Sequence, residues 1–471
     1  MSTFSGLNTA YTALVAARQG LDVVGQNIAN SSTAGYTRQR VNTSAIGSVA
    51  QVGPLTARFS VGQGVSVDGI ARLGNTFLDA RARTASASSG YWDARSSAMS
   101  TLEGTLQEPG ANGVSASLQK FWAAWSDLGN NAGKPAPAAV LLSQANALAA
   151  QVATGYQQVD QQWASQRAET EGNVTALNDA GKQIADLNAR IRTTVASGAP
   201  ANEMVDQRNV LAATVAKLAG GTVRESQDGT VEVLIGGNAL VSGTIFNEVK
   251  LTGSYLMAGA GASPVQLEWA SRPGSAVALD GGSIAGGLAV LAPADGSGTG
   301  GALAEAAETY NTFATQLATQ VNAIHSAGVI ADNTTGHAFF GFNGALPAAL
   351  GLTVVPTDVT TISTGTGGFD GSVADAIAQI GVAASSPDSV WSAMVSGIGA
   401  AARSANQQSS IADLTTTTAV GAQLSNSSVD LDEENMNMLT YQRAYQGAAR
   451  VMTAVDELLD TLINHTGLVG R

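Results

Sequence analysis

The sequence predicts a mainly α-helical protein with a smaller β-rich part. Its N- and C-terminal helices pair as a coiled coil, and a long-helix second domain carries an inserted β region. Three observations predict this. Apolar residues recur every seven positions near both chain ends, as in helices that pack lengthwise on another helix. Long stretches of the middle repeat apolar residues at three- and four-residue steps, as buried helix faces do. Between them, residues 221–299 fall into short, glycine-punctuated, alternating runs, as strands do.

The N-terminal seam is Leu7, Leu14, Leu21 and Ile28, with Ala10, Ala17 and Val24 three residues after the first three. It ends in a run of turn formers from Asn27 through Asn30 to Tyr36, where Gly35 suits a positive φ. Residues 47–74 read as extended or hairpin structure, with Val61, Val65, Val67 and Ile70 alternating. Helix is expected from Tyr91 to Thr194, broken at Pro135 and Pro137. Trp122 and Trp125 share a core face, and Val174, Leu177, Ile184, Leu187 and Ile191 form an apolar stripe. A turn at residues 197–200 precedes a helix over 202–218. Strands are expected from 221 to about 291, with Val231, Val233 and Ile235 alternating. Helices follow at 302–326 and 388–424, separated by a Gly- and Thr-rich loop with short strands at 332–371.

The C-terminal seam is Leu424, Leu431, Met438, Tyr445, Met452 and Leu459, with Tyr441, Ala448, Val455 and Leu462 three after four of them. Asp430 is placed to cap it, with Glu433 three residues on and Asp432 and Glu434 at the positive end of the helix dipole. The helix is expected to end near Asn464, with Gly467 beyond. The domains read as 1–45 plus 425–471 for a terminal coiled-coil layer, 46–220 plus 300–424 for a helical middle, and 221–299 for a β-rich region that the 332–371 loops can join. With seams at both ends, little is left for a globular core to do.

Composition removes several function classes. The 471 residues carry 23 Lys plus Arg against 36 Asp plus Glu, a net charge of −13, and only 13% of residues are charged. Nucleic-acid affinity rests on many cations facing phosphates, so nucleic acid is not an expected partner. With no cysteine there is no disulfide framework, thiol nucleophile or thiolate metal site. No stretch reaches the ~20 apolar residues that span a bilayer, so membrane insertion is not expected. The first cation is Arg18, so no cleavable secretory signal is expected in the opening residues; the chain is expected either to be cytosolic or to leave the cell by a route that needs no cleaved signal.

Catalytic constellations are thin, and no catalytic, cofactor-binding or metal-ligating residue is assigned. His325, His337 and His465 show no metal spacing and are given surface or capping roles. The Gly-rich runs 295–301 and 365–368 lack the Lys and Ser or Thr of a phosphate loop and read as flexible segments. The acidic cluster 430–434 reads as helix N-terminal charge rather than a cation site. The terminal seams are the informative signal. Each exposed Leu forgoes about 1.5–3 kcal/mol of burial, and isolated helices of this size are marginal. The seams therefore need each other or neighbouring subunits.

At both ends the residues resemble a known family. Gly6-Leu7, the run Leu21-Asp22-Val23-Val24-Gly25-Gln26-Asn27-Ile28-Ala29-Asn30 and Thr33-Ala34-Gly35-Tyr36-Thr37-Arg38 are similar to the N-terminal signature of the axial proteins of the bacterial flagellum. Val429 to Glu434, Tyr441 to Gln446 and Ala454 to Asn464 resemble that family's C-terminal signature. Within it, Ala34-Gly35-Tyr36-Thr37-Arg38-Gln39 and the segment Val205 to Leu211 resemble the junction branch more than the rod and hook branches, although Asn209 stands where that branch commonly has Asp.

The resemblance implies a structural, non-enzymatic subunit at the hook–filament junction. It implies export through the flagellar type III apparatus without signal cleavage, and an extracellular place in the flagellum. Implied partners are copies of itself in a ring, the hook protein, a second junction protein or flagellin, and an export chaperone at the C-terminal helix. The assembly seam would be Leu7, Leu14, Leu21 and Ile28 with Leu431, Met438, Tyr441, Tyr445, Met452, Val455, Leu459 and Leu462. Asn27, Asn30, Gly35 and Tyr36 would shape the turn out of that layer. A hook or distal-rod subunit is the nearest alternative; a secreted enzyme or an adhesin using the β region near Trp269 is another.

Overall fold

The computed structural model describes residues 3–47 and 62–465. Helix α1 (Thr3–Ala29) runs through a turn into strand β1 (Gln39–Ala45), which pairs antiparallel with β2 (Val65–Arg72). Val65, Val67 and Ile70 lie on β2 as expected, while Val61 lies outside the described residues. Four helices follow: α2 (Thr76–Leu106), α3 (Val114–Asn130), α4 (Pro135–Ala196) and α5 (Asn202–Ala219).

Helix α2 starts well before the expected Tyr91. Its buried face there is Ala82, Ala85, Ala87 and Ser89, side chains too small to register as an apolar stripe. Asn75 caps it by accepting from the backbone N–H groups of Phe77 and Leu78. Pro135 opens α4, where its fixed φ and missing N–H cost nothing. The 62 residues of α4 make a rod about 93 Å long, and α3, α5 and three later helices, Gly282–Leu291, Ala302–His325 and Ala348–Gly351, pack along it.

The inserted β region begins with an antiparallel sheet in the order β3 (Thr222–Glu225), β4 (Val231–Ile235), β5 (Asn238–Ser242) and β6 (Ile245–Phe246). A separate hairpin joins β7 (Val249–Thr252) to β8 (Gln266–Trp269). Val231, Val233 and Ile235 point inward and share a core with Leu177 and Ile184 of α4 and Val215 of α5. The strands stop short of the expected residue 291, because Gly282–Leu291 is helix α6. This segment is apolar throughout and too short for its periodicity to separate helix from strand. Its glycines admit close neighbours: a Cβ on Gly286 would lie 2.5 Å from the Tyr91 carbonyl oxygen of α2.

Helix α7 (Ala302–His325) leads to a hairpin of β9 (Phe340–Phe342) and β10 (Leu352–Val354) around the one-turn helix α8 (Ala348–Gly351). Helices α9 (Ser372–Ala378), α10 (Pro387–Ser427) and α11 (Leu431–Asp460) complete the chain, and a short π-helical turn extends α11 to His465. Gly467 lies outside the described residues.

A large core joins α2, α3, α4, α7, α9 and α10, with Phe121, Trp125, Leu141, Trp163, Tyr310, Phe313 and Trp391 all sealed from solvent. The expectation that the seams leave little for a globular core is therefore wrong: the helical middle holds most of the large buried side chains. Its farther reach is a polar pairing of α2 with α10. Gln423 donates to Asp79 at 2.6 Å, Ser89 to Asp413 at 2.8 Å and Ser409 to Asp93 at 2.6 Å. The C-terminal heptad is likewise not one helix. The chain leaves α10 after Ser427 and restarts at Leu431, so Leu424 sits on a different element from the rest of its series.

Candidate functional site

Helices α1 and α11 lie antiparallel against each other. Gly6 faces Val455, Gly20 faces the Tyr441 ring, and Asn27 reaches Glu434. A Cβ on Gly20 would stand 2.5 Å from the Tyr441 ring, so the helices meet there at the closest spacing a glycine permits. The sealed positions on α1 are Ala10, Ala17, Gly20, Val23, Val24 and Asn27, and on α11 they are Glu434 and Ala448.

This reorders the predicted seam. Leu7, Leu14, Leu21 and Ile28 are half-buried at its flank, as are Met438, Met452 and Leu459, while Tyr441 and Val455 are half-buried on the contact line. Leu431 and Leu462 are 49% and 59% exposed, and Tyr445 is 37% exposed. Small residues let the two backbones approach: Tyr441 and Val455 pack on Gly20 and Gly6, and the rest of the bulky set is left beside the contact line. Tyr11, Val15, Met436, Leu439, Val451, Leu458 and Ile463 add a wider apolar surface open to solvent.

Behind the seam, the turn out of α1 is tied down by a knot of polar groups. Asn27 is 1% exposed. Its Nδ2 donates to the Gln39 carbonyl at 2.9 Å and to Glu434 Oε2 at 3.1 Å, while its Oδ1 accepts from the Tyr36 hydroxyl at 2.9 Å and the Gln39 N–H at 3.0 Å. All of its capacity is used, which is what a buried amide requires. Arg38 spans Glu434 at 2.7 Å and Glu433 at 2.8 Å, and its backbone N–H donates to the Ser427 carbonyl at 2.9 Å. Asp430 caps α11 through the Asp432 and Glu433 N–H groups. The acidic cluster thus does more than meet the helix dipole, since two of its carboxylates hold the arginine of the turn.

The same turn is anchored to the helical body. Asp206 of α5 accepts from the Thr37 N–H at 3.1 Å and pairs with Arg72 of β2 at 2.6 Å. Burial pushes the Tyr36 hydroxyl up to about 12, helped by the nearby carboxylates Glu203, Asp206 and Glu434, so it stays a donor to Asn27. The bond from Arg38 holds the Glu433 carboxyl below its ordinary range. Gly35 adopts φ of 79°, and a Cβ there would also meet Val210 of α5 at 2.3 Å. Asn30 closes the end of α1 by donating to the Gln26 carbonyl at 3.0 Å. All four residues of the predicted turn are therefore in or beside the knot.

Sequence reasoning missed Arg72, quoted Gln39 within the family motif without giving it a role, and read Glu434 as helix charge and as part of the C-terminal signature. Partners such as Asn27 and Glu434, 407 positions apart, leave no periodic trace. Nothing in this arrangement resembles a reaction centre. Among the described residues no three His, Asp or Glu side chains gather as metal ligands would, and no helix is long and apolar enough to cross a membrane. Trp269, the anchor of the adhesin alternative, is 7% exposed and packs inside the β region.

Fold and site together define a helical structural protein whose two chain ends share one layer. Residues 99–340 match the family described as flagellar hook-associated protein FlgK helical domain, and the chain belongs to that family. Residues 421–465 match the flagellar basal body rod FlgEFG protein C-terminal family, and residues 7–37 the flagella basal body rod protein family.

Flagellar hook-associated protein 1 of Bacillus subtilis (strain 168) is 28% identical over 515 residues, covering 100% of both chains. The protein of that name from Salmonella typhimurium is 29% identical over 347 residues, covering 71% of this chain and 59% of its own length. The solved structure of the flagellar hook junction protein FlgK from Burkholderia pseudomallei shares the fold, with a TM-score of 0.62 and 16% identity over 74% of this chain and 100% of that one. The chain is a structural component of the bacterial flagellum, of a family whose members are structural proteins.

Proposed function

We propose that the chain polymerises with copies of itself in a ring, using the outward flank of α1 and α11 as the contact surface. As a member of its family it is a structural subunit at the hook–filament junction. In this reading it meets the hook protein on one side and a second junction protein or flagellin on the other. It reaches the cell exterior through the flagellar type III apparatus without signal cleavage, and an export chaperone engages α11 beforehand. The domains proposed are the nested ones, with 1–45 plus 425–471 innermost, 46–220 plus 300–424 outside them, and the β region 221–299 attached to the middle.

The observation that carries this reading is the exposed apolar flank. Leu458, 59% exposed, and Val451, 51% exposed, lie on the helix whose other face already meets α1. Exposed apolar patches on this scale mark interaction surfaces, and two helices cannot cover both flanks of each other. Leu7, Leu14, Leu21, Ile28, Met438, Met452 and Leu459 extend the same surface from its half-buried edge, and the exposed Tyr445 adds to it. The test is Leu458→Asp with Val451→Asp in the full chain. Neither residue is buried, so the monomer should fold with unchanged circular dichroism, while cells carrying it should keep hooks, lose filaments and release flagellin. Normal filaments on such cells would refute the proposed surface.

A further inference from the structure

His325 closes α7 and has no exposed surface, in contrast to the surface or capping role expected of it. Its ring is engaged at both nitrogens. Nδ1 lies 2.7 Å from the His337 carbonyl oxygen, and Nε2 lies 2.9 Å from the backbone N–H of Ser363. A carbonyl oxygen only accepts and an amide N–H only donates. The two contacts therefore select the neutral ring with its proton on Nδ1. The Trp125 and Phe339 rings pack around it, with centroids 6.2 and 5.5 Å away. A charged ring would set an N–H at Nε2 against the Ser363 N–H, at a residue sealed from solvent.

The two backbone partners belong to different outer segments. One is 326–338 and the other 358–365, and they are bonded to each other where Val329 N–H donates to the Gly365 carbonyl and Ala331 N–H to the Thr360 carbonyl. One turn earlier on α7, Asn322 anchors β9: its Oδ1 accepts from the Phe339 and Phe340 N–H groups, and its Nδ2 donates to the Phe340 carbonyl. The end of α7 thus carries two anchors, an amide that no pH change alters and an imidazole that acid does.

We propose that His325 is a proton-operated latch. Neutral, it holds segments 326–338 and 358–365 on the end of α7; protonated, it lets them go while Asn322 keeps β9 in place.

The surrounding groups offer the charged ring no refuge. On the first segment, His337 Nε2 lies 2.7 Å from Thr334 Oγ1, which also bonds Asp332 at 2.5 Å. On the second, Asp358 is occupied by Thr360. Toward α9, Asp370 is occupied by Ser372, and the Asp375 carboxylate lies beside Gly129 of α3. On α3 itself, Asp127 is at the surface. No hydrogen bond joins any of these carboxylates to the His325 ring, and the His337 charge works against its protonation. Burial, the largest effect, lowers its pKa, and the bond to the His337 carbonyl opposes that only in part.

The sign follows. The folded pKa is depressed, so the latch is at full strength above the ordinary histidine pKa of about 6.5, and opening becomes easier as pH falls below it. The opening constant should rise about tenfold between pH 7.5 and 5.5.

Amide exchange on the full-length monomer reads this directly, with the Ser363 N–H compared with the Phe340 N–H as an internal reference held by Asn322. The expected result is a Ser363-to-Phe340 opening ratio about tenfold larger at pH 5.5 than at pH 7.5, and a flat ratio in His325→Gln. Should that variant not fold, the ring resonances of the wild type decide. With 3 histidines in the chain, a His325 ring that stays neutral at pH 6 in the closed state supports the latch. A ratio that does not move with pH, or a closed-state ring already charged at pH 6, overturns it.

Discussion

The helical body and the paired chain ends are both helix on helix, yet they bury different things. The body seals Trp125, Trp163, Trp391, Phe121, Phe313, Leu141 and Leu148. The pair seals alanines, valines, one glycine, an asparagine and a glutamate, and leaves its leucines and methionines at half or full exposure. Large apolar side chains taken out of water give a fold that stands alone, at about 1.5–3 kcal/mol each. Small ones bring backbones together but remove little apolar area. The lesson is that the body buries enough to stand alone, whereas the terminal layer is oriented by its polar knot and, in the function proposed above, completed by neighbouring subunits.

The largest expected effect lies in the body. Trp163→Ala removes a fully buried indole whose Nε1 bonds the Leu291 carbonyl at 3.3 Å. It should cost about 4 kcal/mol in denaturant unfolding. Leu458→Ala on the exposed flank should stay within about 0.5 kcal/mol, and equal losses for the two would erase the contrast.

Breaking the knot comes next. Glu434→Ala leaves Arg38 without its buried partner. Arg38 remains 16% exposed and keeps Glu433, so the cost is about 2 kcal/mol rather than the full buried-pair value. It should appear as faster amide exchange in the first turns of α11, with the body unchanged. Gly35→Ala places a side chain at positive φ against Val210, whose own exposure of 45% lets it swing aside. About 1 kcal/mol is expected, seen as a small fall in melting temperature.

The smallest effect is a pH dependence at Glu433. Arg38 holds this carboxyl below its ordinary range. Its contribution is therefore complete above the ordinary glutamate pKa, about 4.3, and lost as pH falls through the lower folded value. The protection factor at the start of α11, exchange corrected for its intrinsic pH dependence, should be flat from pH 8 to 5 and fall in more acid solution, and Glu433→Gln should remove that fall.

Much of this architecture was readable beforehand because heptads, caps and strand alternation are local patterns. Asp430 capped its helix, residues 302–326 and 388–424 were helical nearly to the residue, and the β insertion lay where Val231, Val233 and Ile235 alternated. What escaped has a common cause. The early turns of α2 bury alanine and serine, and α6 is a short apolar run with no period, so neither announces its state. At the seam, heptad counting placed the sealed Ala10, Ala17, Val24 and Ala448 on its series, but it did not show that Gly20 joins them in drawing the helices together or that Leu7 and Leu14 fall to the flank. The knot was half legible: Asn27, Gly35 and Tyr36 stood out within the turn, while Arg72 and Glu434 join it only through tertiary contacts spanning 134 and 407 residues. His325 looked ordinary because its two partners are backbone atoms.

The central claim is that the terminal layer is completed by neighbouring subunits. Amide exchange along α1 and α11, measured in the free monomer and again in the assembled state, tests it most directly. Weak protection of both helices in the monomer, beside strong protection of α4 and α7, and a rise of both to the level of the body on assembly, is the predicted result. Terminal helices already as protected as α4 in the free monomer would contradict it.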